Sequence, residues 1–305
     1  MEFHCLPIFL YLNLMLMTAN AALTPRHYWE TMLPRTPLPK AITELLSLES
    51  RSIFEYAGND DQSESRSILG YAGYNQDEDD VSKHNIQIFN RLFFLEEDLR
   101  AGKIFNMKFV NNTKATVPLL PRQISKQIPF SEDKKKQVLA MLGVEANSSN
   151  AKIIAETIGL CQEPATEGER KHCATSLESM VDFVVSALGK NVGAFSTEKE
   201  RETESGKFVV VKNGVRKLGD DKVIACHPMS YPYVVFGCHL VPRSSGYLVH
   251  LKGEDGVRVK AVVACHRDTS KWDHNHGAFK VLNLKPGNGT VCHVFTEGNL
   301  LWLPN

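Results

Sequence analysis

Four Cys-His dipeptides constrain this chain of 305 residues more than any other feature: Cys226-His227, Cys238-His239, Cys265-His266 and Cys292-His293. Intervals of 10, 25 and 25 residues part them, and Trp302 follows the last after 8 more. They lie among short Val-rich runs, KFVVVK, YVVFGC, YLVHLKG and VRVKAVVAC, separated by Gly, Pro, Ser or Asp-Gly. That composition reads as β-strands. Neighbouring side chains on a strand point to opposite faces, so a Cys and the His beside it cannot easily enter one site. Two separate sets are the economical reading. The cysteines on one face form disulfides, and His227, His239, His266 and His293 on the other converge as metal ligands. A Cys/His zinc site is the alternative, but such sites bring cysteines together as C-x-x-C pairs, and none occurs here. His84, His172 and His250 stand alone and read as ordinary hydrogen-bonded residues.

Upstream of the strands the hydrophobic period changes. Helices are expected over 131–142, 150–161 and 175–189. Ser131 reads as an N-cap with Glu132 and Asp133 in the first turn, Thr175 pairs with Glu178, and Gly189 stops the third helix. The fold class is therefore α+β, a single domain over 89–305 with a helical N-terminal half and a strand-rich Cys-His C-terminal half.

Residues 49–88 lose large apolar side chains and end in QDEDD, the composition of a solvated linker. Within it ESRSIFEYAG (49–58) returns as ESRSILGYAG (64–73), with eight of ten positions identical. Solenoid repeats run to 20 or more residues with apolar faces to stack, which these polar units lack. Only Phe54-Glu55 against Leu69-Gly70 varies, the pattern of variable cargo between constant flanks; a neutral duplication of linker is the competing reading. Residues 22–48 form an arm in which AITELLSLE suits one helical face.

At the N-terminus an apolar run from Leu6 to Met17 precedes Ala19-Asn20-Ala21, so a signal peptide over 1–21 is expected, cut after Ala21 or Ala22. A buried N-terminal helix is the alternative. Loss of Cys5 leaves Cys161, Cys173, Cys226, Cys238, Cys265 and Cys292, which an oxidising compartment pairs. Fifteen pairings are open, with Cys161 to Cys173 a natural local bridge. Sequons at Asn111, Asn147 and Asn288 fit a secreted glycoprotein. The 35 basic and 35 acidic residues balance, so charge points to no nucleic acid partner. No later segment is long enough to span a bilayer, so no membrane association is expected once mature.

The dipeptide spacing resembles the signature of the BURP-domain proteins of plants. FFLEEDLRAGKIFNMKF, CATSLESMVDF, ACHPMSYPYVVFGCH, VVACHRDTSKWDHNHGAF and VCHVFTEGNLLWLPN also resemble that family, over residues 89–305. The family includes stress and cell-wall proteins as well as autocatalytic peptide cyclases. For the cyclase branch the resemblance implies a copper domain that uses molecular oxygen to crosslink an aromatic side chain in core peptides of the same polypeptide. Ser-Ile-Phe-Glu-Tyr and Ser-Ile-Leu-Gly-Tyr resemble cores of cyclopeptide-alkaloid precursors, where a tyrosine phenol oxygen joins the β-carbon two positions earlier. Mapped here, Tyr56 bonds to Phe54 and Tyr71 to Leu69. The same resemblance makes the chain's own cores the substrate and downstream proteases the partners that release the rings, in the apoplast or vacuole. Joining oxygen to an sp³ carbon removes two hydrogens, which redox-inert zinc cannot do, and imidazole-rich sites suit Cu(II). Arg51 and Arg66 either dock the constant flanks or are solvated charges. The competing class is a non-enzymatic secreted BURP-domain protein whose His set is structural.

Overall fold

The computed structural model describes residues 23–47, 92–109 and 117–305. The expected signal, both repeats, Arg51, Arg66, His84 and Asn111 lie outside them.

Two antiparallel sheets carry the molecule. The smaller orders its strands β3 (Arg170–Ala174), β8 (Val235–Pro242), β7 (Lys222–Met229), β12 (Leu300–Pro304) and β4 (Val192–Phe195). The larger runs β1 (Phe93–Leu95), β11 (Val291–Phe295), β10 (Arg258–His266), β9 (Ser244–Gly253), β6 (Lys207–Gly219) and β2 (Ile104–Asn106), with β5 (Glu198–Lys199) also pairing with β10. Alternation along the strands decides the layers. Val223 and Ala225 of β7, Val262 and Ala264 of β10, Phe295, Leu301 and Leu303 share one buried cluster between the sheets. The alternate residues Ile224, Cys226, Cys238 and Trp302 of the smaller sheet pack outward against helices. Val263, Cys265, Cys292 and Val294 of the larger sheet pack against Leu92, Phe94, Phe105, Met107 and Phe109.

The helices follow their apolar periods. They are α1 (Pro25–Met32), α2 (Lys40–Leu46), α3 (Arg122–Ser125), α4 (Lys135–Leu142), α5 (Ser149–Gln162), α6 (Leu177–Leu188) and α7 (Gly277–Leu282). In α6, Leu177, Met180, Val181 and Val184 form a stripe at helical spacing and all are buried. The chain is thus α+β, with its helices weighted to the first half and its strands to the second. Two capping expectations are corrected. Ser131 precedes a 3₁₀ turn (Glu132–Lys134) without a side-chain cap bond, and α4 starts only at Lys135. The cap of α6 is Ser176 rather than Thr175, and its reciprocal partner is Ser179, one residue beyond Glu178. Glu178 is instead buried and accepts from the Arg122 backbone N–H at 3.1 Å.

The arm is part of the domain core. Trp29, Leu33, Ala41, Ile42 and Leu46 are buried in one cluster with Trp302, and the Trp29 and Trp302 ring centroids lie 5.0 Å apart. Tyr28 donates a hydrogen bond to Asp182 of α6. The Thr36 hydroxyl donates to the Val192 carbonyl at 2.5 Å. Among the described residues no helix is long and apolar enough to cross a membrane.

Candidate functional site

Register creates the site. β7 and β8 pair with Cys226 opposite Cys238, and β10 and β11 with Cys265 opposite Cys292. Each facing pair is a disulfide, with Cα atoms 4.0 and 3.9 Å apart, and Cys161–Cys173 ties α5 to β3. Three such bridges belong to an oxidising compartment. One step along each strand the side chain turns to the other face. There His227 faces Gly237 and His239 faces Ala225, while His266 faces Val291 and His293 faces Ala264. The two histidines of a pair are thus diagonal neighbours, and the small residues opposite three of them let the rings lean together.

They meet through Nε2: His227 to His239 at 3.3 Å, and His266 to His293 at 3.3 Å. The sheets face one another on this side, so the two pairs adjoin, with the His227 and His293 ring centroids 6.2 Å apart. Phe295 stacks on His293 at 5.1 Å and touches His227 at 5.4 Å. Cysteines occupy the outer faces and imidazoles the space between the sheets.

The Nδ1 atoms of His227, His239 and His266 are also engaged. His227 Nδ1 lies 2.7 Å from Asn299 Oδ1. The Asn299 amide donates to the Thr296 carbonyl and hydroxyl, at 3.0 and 2.8 Å, which fixes Oδ1 as an acceptor and His227 Nδ1 as the donor. His239 Nδ1 lies 2.6 Å from Glu169 Oε1. Ser244 Oγ lies 2.8 Å from His266 Nδ1. Proton donors at Nδ1 of His227 and His239 leave their Nε2 lone pairs aimed at one another across 3.3 Å, an arrangement that a proton or a metal ion between them relieves. Hydrogen-bonded Nδ1 atoms behind a bare Nε2 are the usual support of metal-bound histidine.

Burial keeps His227, His266 and His293 neutral. It pushes His227 and His266 down to about 3, with the neighbouring imidazoles adding to the effect. Burial and the same neighbours hold His293 well below the usual histidine range. Neutral imidazole is the form that binds a metal. Two nitrogens bound at about 2.0 Å to one tetrahedral ion stand roughly 3.3 Å apart, the spacing within each pair. The donors nevertheless come in twos: among the described residues no set of three or more His, Cys, Asp or Glu side chains converges on one point. Because all six cysteines of 161–292 are in disulfides, no thiolate is available for a Cys/His zinc site.

Of the other singled-out residues, His172 stacks on Phe183 at 5.3 Å with its Nε2 buried and unbonded. His250 is exposed on β9, as are the sequon residues Asn147 and Asn288. Tyr56, Tyr71, Phe54 and Leu69 lie outside the described residues. Sequence reasoning missed Glu169, Asn299 and Ser244 behind the rings, and Trp272 and His276 beside them. The Trp272 ring centroid is 5.1 Å from His266 and 4.5 Å from His276.

Comparison with known proteins places the chain in a family. The BURP domain family model matches residues 92–304. "BURP domain protein RD22" of Arabidopsis thaliana is 45% identical over 215 residues, covering 69% of this chain and 55% of that protein. "BURP domain-containing protein 5" of Oryza sativa subsp. japonica is 38% identical over 302 residues, covering 93% of this chain and 88% of that protein. "Protein RAFTIN 1A" of Triticum aestivum is 34% identical over 216 residues, covering 70% of this chain and 56% of that protein. The chain therefore belongs to the BURP-domain family of plant proteins.

Proposed function

We propose that this BURP domain is a copper-dependent peptide cyclase acting on its own N-terminal repeats. The observation that carries the reading is the facing of His227 with His239 and of His266 with His293 through Nε2 at 3.3 Å, supported by Nδ1 partners. These four residues would hold copper, which when bound supplies one-electron chemistry that zinc lacks. The chain's own residues do the rest. Asn299, Glu169 and Ser244 orient the rings, and Phe295 with the walls of Val262, Ala264 and Leu301 keeps water from the space between the sheets.

The substrates are Tyr56 and Tyr71. Each reaction breaks a phenol O–H and a Cβ–H bond, on Phe54 or Leu69, and forms one O–C bond; two protons and two electrons pass to molecular oxygen. The Phe54 carbon is benzylic and yields its hydrogen more readily than Leu69. Carrying the cores in the same chain replaces weak peptide binding by a high effective concentration. Proteases of the secretory pathway then release the rings, in the apoplast or vacuole.

A second reading, a secreted BURP-domain protein without enzymatic activity, draws on the relatives, whose names state a domain and no reaction. One experiment separates the two. Metal-free full-length protein is incubated with Cu(II) and oxygen, then digested. Peptides spanning 51–58 and 66–73 are expected lighter by two hydrogens each, with no fragmentation between the joined residues. Tyr56→Phe abolishes the first loss and spares the second. If neither peptide loses hydrogens with any copper or reductant, the non-enzymatic reading stands.

A further inference from the structure

Beside the His266–His293 pair the fold builds a second feature that the four-imidazole site does not use. The loop between β10 and α7 is tied down along its length. Arg267 pairs with Asp221 at 2.8 Å and Arg243 with Asp268 at 3.1 Å. Thr269 is fully buried and accepts from the Gly287 N–H at 3.0 Å. The Asp273 carboxylate accepts from the Asn275 N–H at 2.7 Å. A loop so fixed presents Trp272 only half-buried, leaning on Phe279 at 6.0 Å and on His266. Apolar surface held rigidly in reach of solvent beside a polar cluster favours a ligand with an apolar body.

His276 supplies the polar complement. Its Nδ1 accepts from the Ala278 N–H at 3.2 Å, so in the neutral ring the proton sits on Nε2 and makes that nitrogen a donor. The Phe93 ring lies 5.7 Å from His276 and 6.0 Å from His293. Two aromatic rings and one N–H donor thus border the imidazole pair. An aromatic ring with a hydrogen-bond acceptor at its tip, a phenol, matches that set. The chain leads to the same place: Phe93 pairs in register with His293, and Tyr71 precedes Phe93 by 22 residues.

We infer that Trp272, His276 and Phe93 form a phenol-binding site that seats the tyrosine of the chain's own core peptides beside His266 and His293. Trp272 stacks on the phenol ring and His276 Nε2–H donates to its oxygen; neither binds the metal. The inference rests on the cyclase reading for its occupant, but its test does not depend on turnover.

The probe is N-acetyl-3-fluorotyrosinamide, whose binding to metal-free full-length protein is followed by fluorine NMR. Copper affinity is measured in parallel by competition with a chromophoric chelator. Trp272→Ala is expected to weaken the probe about tenfold, and Trp272→Phe to restore most of it. His276→Ala is expected to weaken it several-fold while His276→Gln, which keeps an N–H, does not. Copper affinity stays within about twofold of the parent in all four, which also shows that they fold. A Tyr56→Phe/Tyr71→Phe chain binds the probe more tightly, because its own phenols no longer compete. Unchanged probe affinity in Trp272→Ala and His276→Ala overturns the site. Loss of copper in His276→Ala makes that residue a metal ligand and overturns it as well. If the site binds the probe as expected while copper and oxygen leave the cores unchanged, the cyclase reading fails and the phenol site stands.

Discussion

Glu169→Gln is the sharpest perturbation of the imidazole pairs, because it changes one oxygen to nitrogen without changing volume. The carboxylate is 4% exposed at its side chain and does two things. Oε1 accepts from His239 Nδ1 at 2.6 Å, and Oε2 accepts from the Thr166 N–H at 3.1 Å. A carboxylate can accept twice; an amide accepts with its oxygen only. Glutamine must therefore set its NH₂ either against the Thr166 N–H or against His239 Nδ1–H. The first choice leaves a buried donor clashing at the loop before β3. The second drives the His239 proton to Nε2 and removes the lone pair that faces His227.

Partners of this kind are worth about 10- to 100-fold in metal affinity, or roughly 1.4–2.7 kcal/mol. We expect Glu169→Gln to weaken copper by that factor in chelator competition, and His239→Ala to weaken it further. Nitrogen hyperfine structure in the electron paramagnetic resonance spectrum should show one imidazole fewer, or one more loosely held. Glu169→Asp, one methylene short, loses both contacts and should behave no better than glutamine. An affinity within twofold of the parent in Glu169→Gln, with His239→Ala clearly impaired, would refute the argument that the carboxylate sets the tautomer.

Three more outcomes follow from named contacts. His227 and His266 are held at about 3 in the fold against about 6.5 unfolded, so the unfolded chain takes up protons first as pH falls. Stability should drop between pH 6.5 and 3, and thermal melts of a His227→Gln/His266→Gln chain should depend less on pH over that window. Trp29→Ala removes a side chain that is 1% exposed, at a cost of about 3–5 kcal/mol; calorimetry should find a melting point lower by roughly 10 °C, whereas Leu23→Ala, at an exposed position, leaves it in place. The proposed crosslinking, measured by mass over a roughly fifty-fold range of protein concentration, should be first order, and a rate rising with concentration would show that the cores are presented between molecules.

How much of this was legible depends on how local the physics is. A period of two separates Cys from His on any strand, so the division into bridged cysteines and inward imidazoles needs only the dipeptides. Register is not local. Nothing in the sequence says that Cys226 meets Cys238 rather than Cys265, and so nothing says that His227 meets His239. The supporting residues are harder still. Glu169 reaches His239 across 70 positions and Asn299 reaches His227 across 72, both through sheet pairings that only tertiary packing fixes. The cap of α6 shifted by one residue because Thr175, Ser176 and Ser179 all carry hydroxyls, and φ and ψ choose among them. Trp272 and His276 sat in a segment read for its resemblance, with no periodicity to mark which side chains face the cluster.

The arm gives the repeats a mechanical setting. The residues between Ser47 and Leu92 are held at both ends: upstream by α2, whose Ile42 and Leu46 are buried against α6 and Trp302, and downstream by β1, whose Phe93 pairs with His293. A fully extended stretch of that length reaches about 150 Å, many times what a domain of this size requires, so contour length restricts neither Tyr56 nor Tyr71. What the anchoring does restrict is dilution. A tethered side chain experiences the cluster at an effective concentration on the order of millimolar, far above that of a second protein molecule in a dilute compartment. If the chain is the cyclase proposed above, specificity can then come from the tether as well as from the contacts of the site itself. On the proposed cyclase reading Tyr56 and Tyr71 recur because each supplies the phenol oxygen, and positions 54 and 69 tolerate Phe or Leu because both offer a Cβ–H bond.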